Sequence, residues 1–331
     1  MAVVRPGCEL LTTMTTITER TGTVAVLGAT GCVGRSVCDV LRAAGHEVLA
    51  VARRPAPHPV ADDFVPLDVA AAAPGRIAEL LDHHQVVAVV NATGGWDTTE
   101  QEMTYAHVDL VDRLVAGCAL AGRRMRVVHM GSIHEYGPVP EGTRIDEGWA
   151  PAPVTPYGRT KLAGSRRLLA ATEAGRVDGV VLRAVNVCGP HTTPASFLGA
   201  VLTRLRNRPP GEVLSFDVAE ARRDFMDVRD LARAALAAVR VPDPARVVNL
   251  GRGEAVPVRD LVGHLLDAAG AGPEAARLKV ADVPSKGGSW TCADIRLAAR
   301  TLGWRPRIPL RDSLRAMWDA AAGTASHREQ T

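Results

Sequence analysis

Residues 24–34 read Val24-Ala-Val-Leu27 followed at once by Gly28-Ala-Thr-Gly31-Cys-Val-Gly34. An apolar run of this length suits a buried strand, and the glycines end it in a tight turn. The segment after it, Arg35 to Ala44, reads as a helix. Strand, glycine turn and helix in that order bring backbone amides and the positive end of a helix to one point. A pyrophosphate fits there, because glycine lets the main chain approach closely and the helix N-terminus offers free N–H groups. Glycine-rich turns are common, so a plain turn is the alternative. The position at the head of a βα series favours a dinucleotide site. Its expected contacts are Gly28, Thr30, Gly31, Cys32, Val33 and Gly34.

Further Val-rich runs follow at Glu47–Val51, Val86–Val90, Arg126–His129 and Val177–Leu182. Longer amphipathic segments, Thr98–Ala121 and Pro156–Ala174, separate them. Continuous apolar strands alternating with helices indicate a parallel sheet covered on both faces, so the fold class is α/β, a Rossmann-type doubly wound sheet. After about Gly189 the alternation weakens into a stretch rich in Pro, Arg and Phe, from Pro190 to Phe225. Asp227–Val239, Val258–Ala269 and Leu310–Ala321 read as helices, and Val247–Leu250 as a strand. The expected organisation is a disordered extension at 1–22 and a cofactor domain at 23–190, with 227–250 returning to it. A smaller substrate-binding domain comprises 191–226 and 251–322, and 323–331 is a polar tail. No internal repeat or low-complexity linker is visible, and Met14 offers a second, shorter start.

Composition bounds the function. A chain of 331 residues allows one large or two modest domains. A net charge of +3 gives no reason to expect nucleic acid or an anionic membrane as partner. The positive charge is mostly Arg, which a GC-rich genome explains. Cysteines at 8, 32, 38, 118, 188 and 292 show no CxxC spacing, so no metal site is expected. Scattered cysteines, no signal-peptide core before Thr23 and no membrane-length apolar run suggest a cytoplasmic protein. Aromatics make up only 4%, so the settings of Tyr105, Tyr136 and Tyr157 are worth separate attention.

The second strand runs out at Val51-Ala52-Arg53-Arg54. An acidic residue there would hold the ribose hydroxyls of NAD; two guanidiniums suit a 2′-phosphate, so NADP(H) is the expected cofactor. The alternative is two solvated arginines in a loop. Asp68, next to Val69, can accept from the adenine amino group. Asn91-Ala92-Thr93-Gly94 ends a strand at the carboxyl edge where such sheets bind ligands. Tyr157 and Lys161 stand four apart in Pro156-Tyr-Gly-Arg-Thr-Lys161, on one face of a helix. A neighbouring ammonium favours the phenolate, which makes the pair sensible for proton transfer to a carbonyl oxygen. The same spacing also arises by chance on surface helices. Ser132 falls just past a strand end, where it can bond the same oxygen or merely cap a turn.

Taken together these stretches resemble the extended short-chain dehydrogenase/reductases of the NAD(P)-dependent nucleotide-sugar epimerase/dehydratase type. GATGCVG at 28–34, GSIHEYG at 131–137, YGRTK at 157–161, RAVNVCGP at 183–190 and RRDFMDVRDLA at 222–232 match in order. VNLGRGEAVPV at 248–258 and LGWRPRIPL at 302–310 are similar to the family's C-terminal pattern. The resemblance spans about residues 23–320. It implies Tyr157 as acid–base, Lys161 as the holder of the nicotinamide ribose, and Ser132 as the group orienting the substrate oxygen. It also implies Asn186 beside the nucleotide sugar and Arg223 on its diphosphate. Gly94, His134, His191, Ser196 and Phe197 complete the expected substrate contacts.

The departures narrow the chemistry. The family's dehydratases resemble Thr-Asp-Glu where this chain has Ser132, Ile133 and His134. Ile133 cannot donate a proton, so dehydration is unexpected. His134 could be a second acid–base with a pKa suited to neutral pH, or could simply shape the pocket. His107 stands for the family's usual Asn, Asn91-Ala-Thr for His-Ala-Ala, and Cys188 for a common Tyr. Drifted members of this kind resemble deoxysugar ketoreductases. The expectation is therefore an NADPH-dependent reductase of the C4 ketone of a nucleotide-linked, dTDP-type, 4-keto-6-deoxyhexose. The alternatives are a 4-epimerase with tightly bound NAD and a non-catalytic NADP-binding regulator. The resemblance also implies a homodimer through helices near 98–121 and 156–174.

Overall fold

The computed structural model describes residues 22–56, 60–95, 99–281 and 288–326. The expected N-terminal extension, apart from Gly22, and the last five residues of the tail lie outside the described residues.

The first half alternates strands with helices, apart from the β2–β3 and α3–α4 steps: β1 (Thr23–Leu27), α1 (Cys32–Ala43), β2 (Val48–Ala52), β3 (Asp63–Pro66), α2 (Pro74–His83), β4 (Val86–Asn91), α3 (Glu100–Thr104), α4 (Leu110–Leu120), β5 (Arg126–Ser132), α5 (Pro156–Glu173) and β6 (Asp178–Ala184). After these come β7 (Asn186–Cys188), α6 (Phe197–Arg206), β8 (Leu214–Ala219), β9 (Arg222–Asp227), α7 (Val228–Arg240), β10 (Val247–Leu250), β11 (Ala255–Pro257), α8 (Val258–Ala268), β12 (Ala276–Ala281), β13 (Trp290–Thr291), α9 (Arg296–Thr301) and α10 (Leu310–Ser326).

Seven strands form one parallel sheet in the order β10-β6-β5-β4-β1-β2-β3. The order reverses at β1, where β2 lies on one side and β4 on the other. Side chains alternate across the pleat, and both faces are buried. Val24 and Val26 pack with Leu41 of α1 and Ala234 of α7. Ala25 and Leu27 pack with Ile77 of α2, Leu114 of α4 and Leu168 of α5. Both faces being dry is why these strands read as unbroken apolar runs. A third core joins α6, β8, β9, α8 and α10 through Leu198, Phe216, Phe225, Leu261 and Leu314.

Two local features differ from the sequence reading. The Pro- and Arg-rich stretch after Gly189 contains a helix, α6, capped by Ser196 and burying Leu198, Val201, Leu202 and Leu205. Its i, i+3, i+4, i+7 spacing was present but masked by the prolines on either side. The long helix expected over 98–121 is interrupted by a π-helical turn at Tyr105–Asp109. Gly164 of α5 lies against the His107 carbonyl oxygen there, so closely that a Cβ would collide with it. The widened turn and the glycine let the two helices meet.

The sheet's far side is clamped by a buried ion pair. Arg126 is fully buried; its Nε and Nη2 donate to Asp178 at 2.8 and 2.7 Å. Other N–H groups reach the carbonyls of Val241 and Pro242, both at 2.9 Å, and of Ala238. One side chain thus ties β5 to β6 and to the end of α7. Arg126→Ala is expected to cost about 3 kcal/mol, since it strands the Ala238, Val241 and Pro242 carbonyls and leaves Asp178 to Arg246 alone. Denaturant unfolding checks this; a loss below about 1 kcal/mol would contradict it.

Candidate active site

The turn after β1 has the geometry expected of it. Gly28 has a φ of +75°, its N–H donates to the Val51 carbonyl at 2.9 Å, and Gly31 N–H donates to the Gly28 carbonyl at 3.0 Å. Gly34 packs on the Gly28 peptide with no room for a Cβ. Helix α1 is capped by Gly31 with no side-chain cap and no acid in its first turn. Its leading amides are therefore free for an anion, and Gly28, Thr30, Gly31, Cys32, Val33 and Gly34 form a cradle that fits a dinucleotide pyrophosphate. Cys32 donates its thiol to the Pro190 carbonyl at 3.4 Å, and burial pushes its pKa up to about 11.

The neighbouring strand ends complete one edge. Arg53 and Arg54 emerge exposed just after β2. Asp68 accepts from the Ala70 N–H at 3.2 Å, and Val69 is buried behind it. Tyr105 is 36% exposed and stands by Asp68; withdrawal from water and that carboxylate raise its pKa. Buried Asn91 shapes the turn after β4: its Oδ1 accepts from Thr93 N–H at 3.1 Å and from the Thr93 hydroxyl at 2.5 Å. Ala92 N–H donates to the Leu27 carbonyl at 3.0 Å. Gly94, at φ +99°, lies so that a Cβ would stand 3.5 Å from Lys161 Nζ. The turn after β4 and Lys161 therefore adjoin.

Helix α5 opens with Pro156 and is capped by the Thr155 hydroxyl, which accepts from Gly158 N–H at 3.1 Å. Gly158 lets this helix start press on the His134 carbonyl, where a Cβ would come within 2.6 Å. Tyr157 is thereby carried beside Ser132. His107 and His134 flank the Tyr157 ring edge-on, with centroids 5.5 and 6.0 Å away. Withdrawal from water pushes the phenol up to about 12, against the pull of Ser132. Lys161 is buried, donates to the Met130 carbonyl at 2.5 Å, and is pushed down to about 8 by burial.

Two buried imidazoles face this lysine. His107 Nδ1 meets the Thr160 hydroxyl at 2.9 Å, and His129 Nδ1 meets Asn91 Nδ2 at 3.0 Å. Burial and the Lys161 charge push His107 down to about 3 and hold His129 well below the usual imidazole range. Both stay neutral, which leaves the ammonium without a competing cation from these two side chains.

On the substrate side, Asn186 stands beside His134 and donates to the Asp224 carbonyl at 3.4 Å. Arg223 donates to the Gly288 carbonyl at 2.7 Å, and burial lowers its pKa. The expectation of a His134 pKa near neutrality is corrected: burial and the Arg223 charge push it down to about 4. At neutral pH it is a neutral imidazole. His191, with a left-handed φ of 62°, sits near Arg35 and Asp39 of α1. Ser196 caps α6 by accepting from Gly199 N–H at 3.0 Å, and Phe197 is 43% exposed beside it. Tyr136 points away into the core, its hydroxyl donating to Asn249 at 2.9 Å. The residue the sequence reading passed over is Glu135, fully buried under Ser132. The Ser-x-x-Glu spacing of a capping box was its visible signal.

Comparison with known proteins agrees with this geometry. The profile of the NAD dependent epimerase/dehydratase family matches residues 24–251. The chain is 38% identical over 301 residues to a dTDP-6-deoxy-L-talose 4-dehydrogenase (NAD(P)(+)) of Kitasatospora kifunensis, covering 90% of this chain and 95% of that one. It is 30% identical over 203 residues to a GDP-6-deoxy-D-mannose reductase of Pseudomonas aeruginosa, covering 57% of this chain and 64% of that one. Among solved structures, MoeE5 in complex with UDP-glucuronic acid and NAD superposes with a TM-score of 0.79 at 29% identity, over 92% of this chain and all of that one.

Proposed function

Because the chain belongs to the NAD dependent epimerase/dehydratase family, we propose that it is an NADPH-dependent ketoreductase. Its substrate is the C4 ketone of a nucleotide-linked, dTDP-type, 4-keto-6-deoxyhexose. The observation that carries this reading is the joined constellation of Ser132, Tyr157 and Lys161 beside the Gly94 turn. With Ile133 in place of a proton-donating residue, that constellation is equipped for ketone reduction and not for water elimination. The deoxysugar 4-dehydrogenase named above supports the substrate class.

The cofactor would be held by the Gly28–Gly34 turn, Arg53, Arg54, Asp68, Val69, Ala92, Thr93, Tyr157 and Lys161, and when bound it supplies the hydride. Tyr157, protonated throughout the neutral range, gives its proton to the carbonyl oxygen as that oxygen gains charge. Ser132 donates a hydrogen bond to the same oxygen and lowers the barrier to its charging. Lys161 supplies positive charge behind the phenol and a donor for the ribose. Asn186, Arg223, His134, His191, Ser196 and Phe197 would receive the nucleotide sugar. The same reading gives the main sheet to the cofactor and the third core to the substrate, with a homodimer in the cytoplasm. Among the described residues no helix is long and apolar enough to cross a membrane.

His134 serves here as a neutral hydrogen-bonding wall. His134→Asn is expected to keep turnover within about tenfold and to leave the acid limb of the pH profile unmoved. Disappearance of a limb between about pH 6 and 7 would make it an acid–base instead. NADPH absorbance followed against a panel of nucleotide keto sugars tests the activity itself. The 4-epimerase reading, favoured by the NAD in the MoeE5 complex, predicts copurified NAD and no net NADPH consumption. A non-catalytic regulator predicts no turnover that depends on Tyr157.

A further inference from the structure

We propose that Glu135 is a positioning residue of this active centre: its buried carboxylate fixes the Ser132 main chain and supplies the negative field in which the Lys161 ammonium and the Tyr157 phenol operate. Its catalytic consequence rests on the function proposed above, while its electrostatic content does not.

The carboxylate is immobilised on every side. Oε1 accepts from the Ser132 N–H and the Ser165 hydroxyl, both at 2.9 Å. Oε2 accepts from Arg183 Nε at 2.7 Å. Arg183 is itself buried and stacks 4.5 Å over the Tyr136 ring. Gly131 opens the seat, since a Cβ there would come within 2.7 Å of Oε1. Lys161 grips the same strand end through the Met130 carbonyl. Glu135 and Lys161 thus hold residues 130–132 between them, and that segment presents Ser132 to Tyr157.

The surrounding groups explain why the charge matters. Tyr157 of α5 and Arg183 of β6 border the pair. His107 from the π-helical turn, His129 of β5 and His134 of the turn after β5 are all driven neutral. Arg223 bears on His134. Burial pushes Lys161 down, and Glu135 opposes that shift; the same carboxylate raises Tyr157. Removing it should lower both together. A Glu–Arg pair that only filled the core would move neither, because buried pairs can often be exchanged for uncharged side chains.

The chain has three lysines, 161, 279 and 286, so lysine labelled with ¹³C at Cε gives three resolvable titrations in the full-length protein. Lys161→Met identifies the signal. In the unaltered protein the Lys161 midpoint is expected near 8. In Glu135→Gln it is expected to fall by roughly half a pH unit or more. Should that variant fail to fold, as judged by circular dichroism, Glu135→Gln/Arg183→Gln keeps the buried pair without its charges and is expected to shift the same way. An unchanged or raised midpoint in a folded variant overturns the proposal. The alkaline limb of NADPH turnover should move acidward with the midpoint. Absent turnover in the unaltered protein with a shifted midpoint sinks the ketoreductase reading and leaves Glu135's role standing. Normal turnover with an unmoved midpoint does the reverse.

Discussion

Tyr157→Phe is expected to lower keto-sugar reduction by about 10²- to 10⁴-fold. The phenyl ring keeps the volume and the edge-on packing against His107 and His134. What it loses is the proton. The sign of the pH dependence follows from the two shifted groups. Tyr157, held near 12, stays an acid at neutral pH, so reduction should be flat there. It should decline as pH rises through about 8, where Lys161 loses its charge. Oxidation of the alcohol needs the phenolate and should rise with pH instead. Stopped-flow or steady-state NADPH absorbance reads both limbs. Retention of more than about a tenth of the rate in the Phe variant would remove Tyr157 from the chemistry.

Arg53→Ala/Arg54→Ala is expected to weaken NADPH binding by about 10- to 100-fold with little change for NADH. A charged hydrogen bond to phosphate contributes about 1.5–3 kcal/mol, and the 2′-phosphate is what distinguishes the two cofactors. Both guanidiniums are exposed at the end of β2, and neither forms an ion pair among the described residues. They are available at the place where the sheet's second strand meets an adenosine ribose in such folds. Fluorescence titration with each cofactor checks this, and equal losses for both would show a general electrostatic effect.

Much of this was legible in the chain. The β1–turn–α1 unit could be read because three signals coincide within twelve residues: a buried apolar run, glycines where no Cβ fits, and a helix without a cap. Tyr157 and Lys161 could be read because a helix converts a spacing of four into one face. Glu135 was passed over because its role is tertiary. Ser165 and Arg183, which give it meaning, lie 30 and 48 residues away. The neutrality of His134 was hidden for the same reason, since it depends on burial and on Arg223 from β9. The π-helical turn at 105–109 is set by contact with Gly164, which local periodicity does not encode. Of the three tyrosines, Tyr157 is the one beside Ser132, Tyr136 anchors the core and Tyr105 stands exposed by Asp68.

The central claim is net reduction of a nucleotide-linked ketone by NADPH. The most direct measurement is the decrease of NADPH absorbance when purified protein meets a dTDP-linked 4-keto-6-deoxyhexose, with the product identified by mass. Stoichiometric NADPH loss and a product two hydrogens heavier are predicted. Interconversion of 4-epimers with no NADPH consumed, or oxidation confined to NADH, would contradict the account.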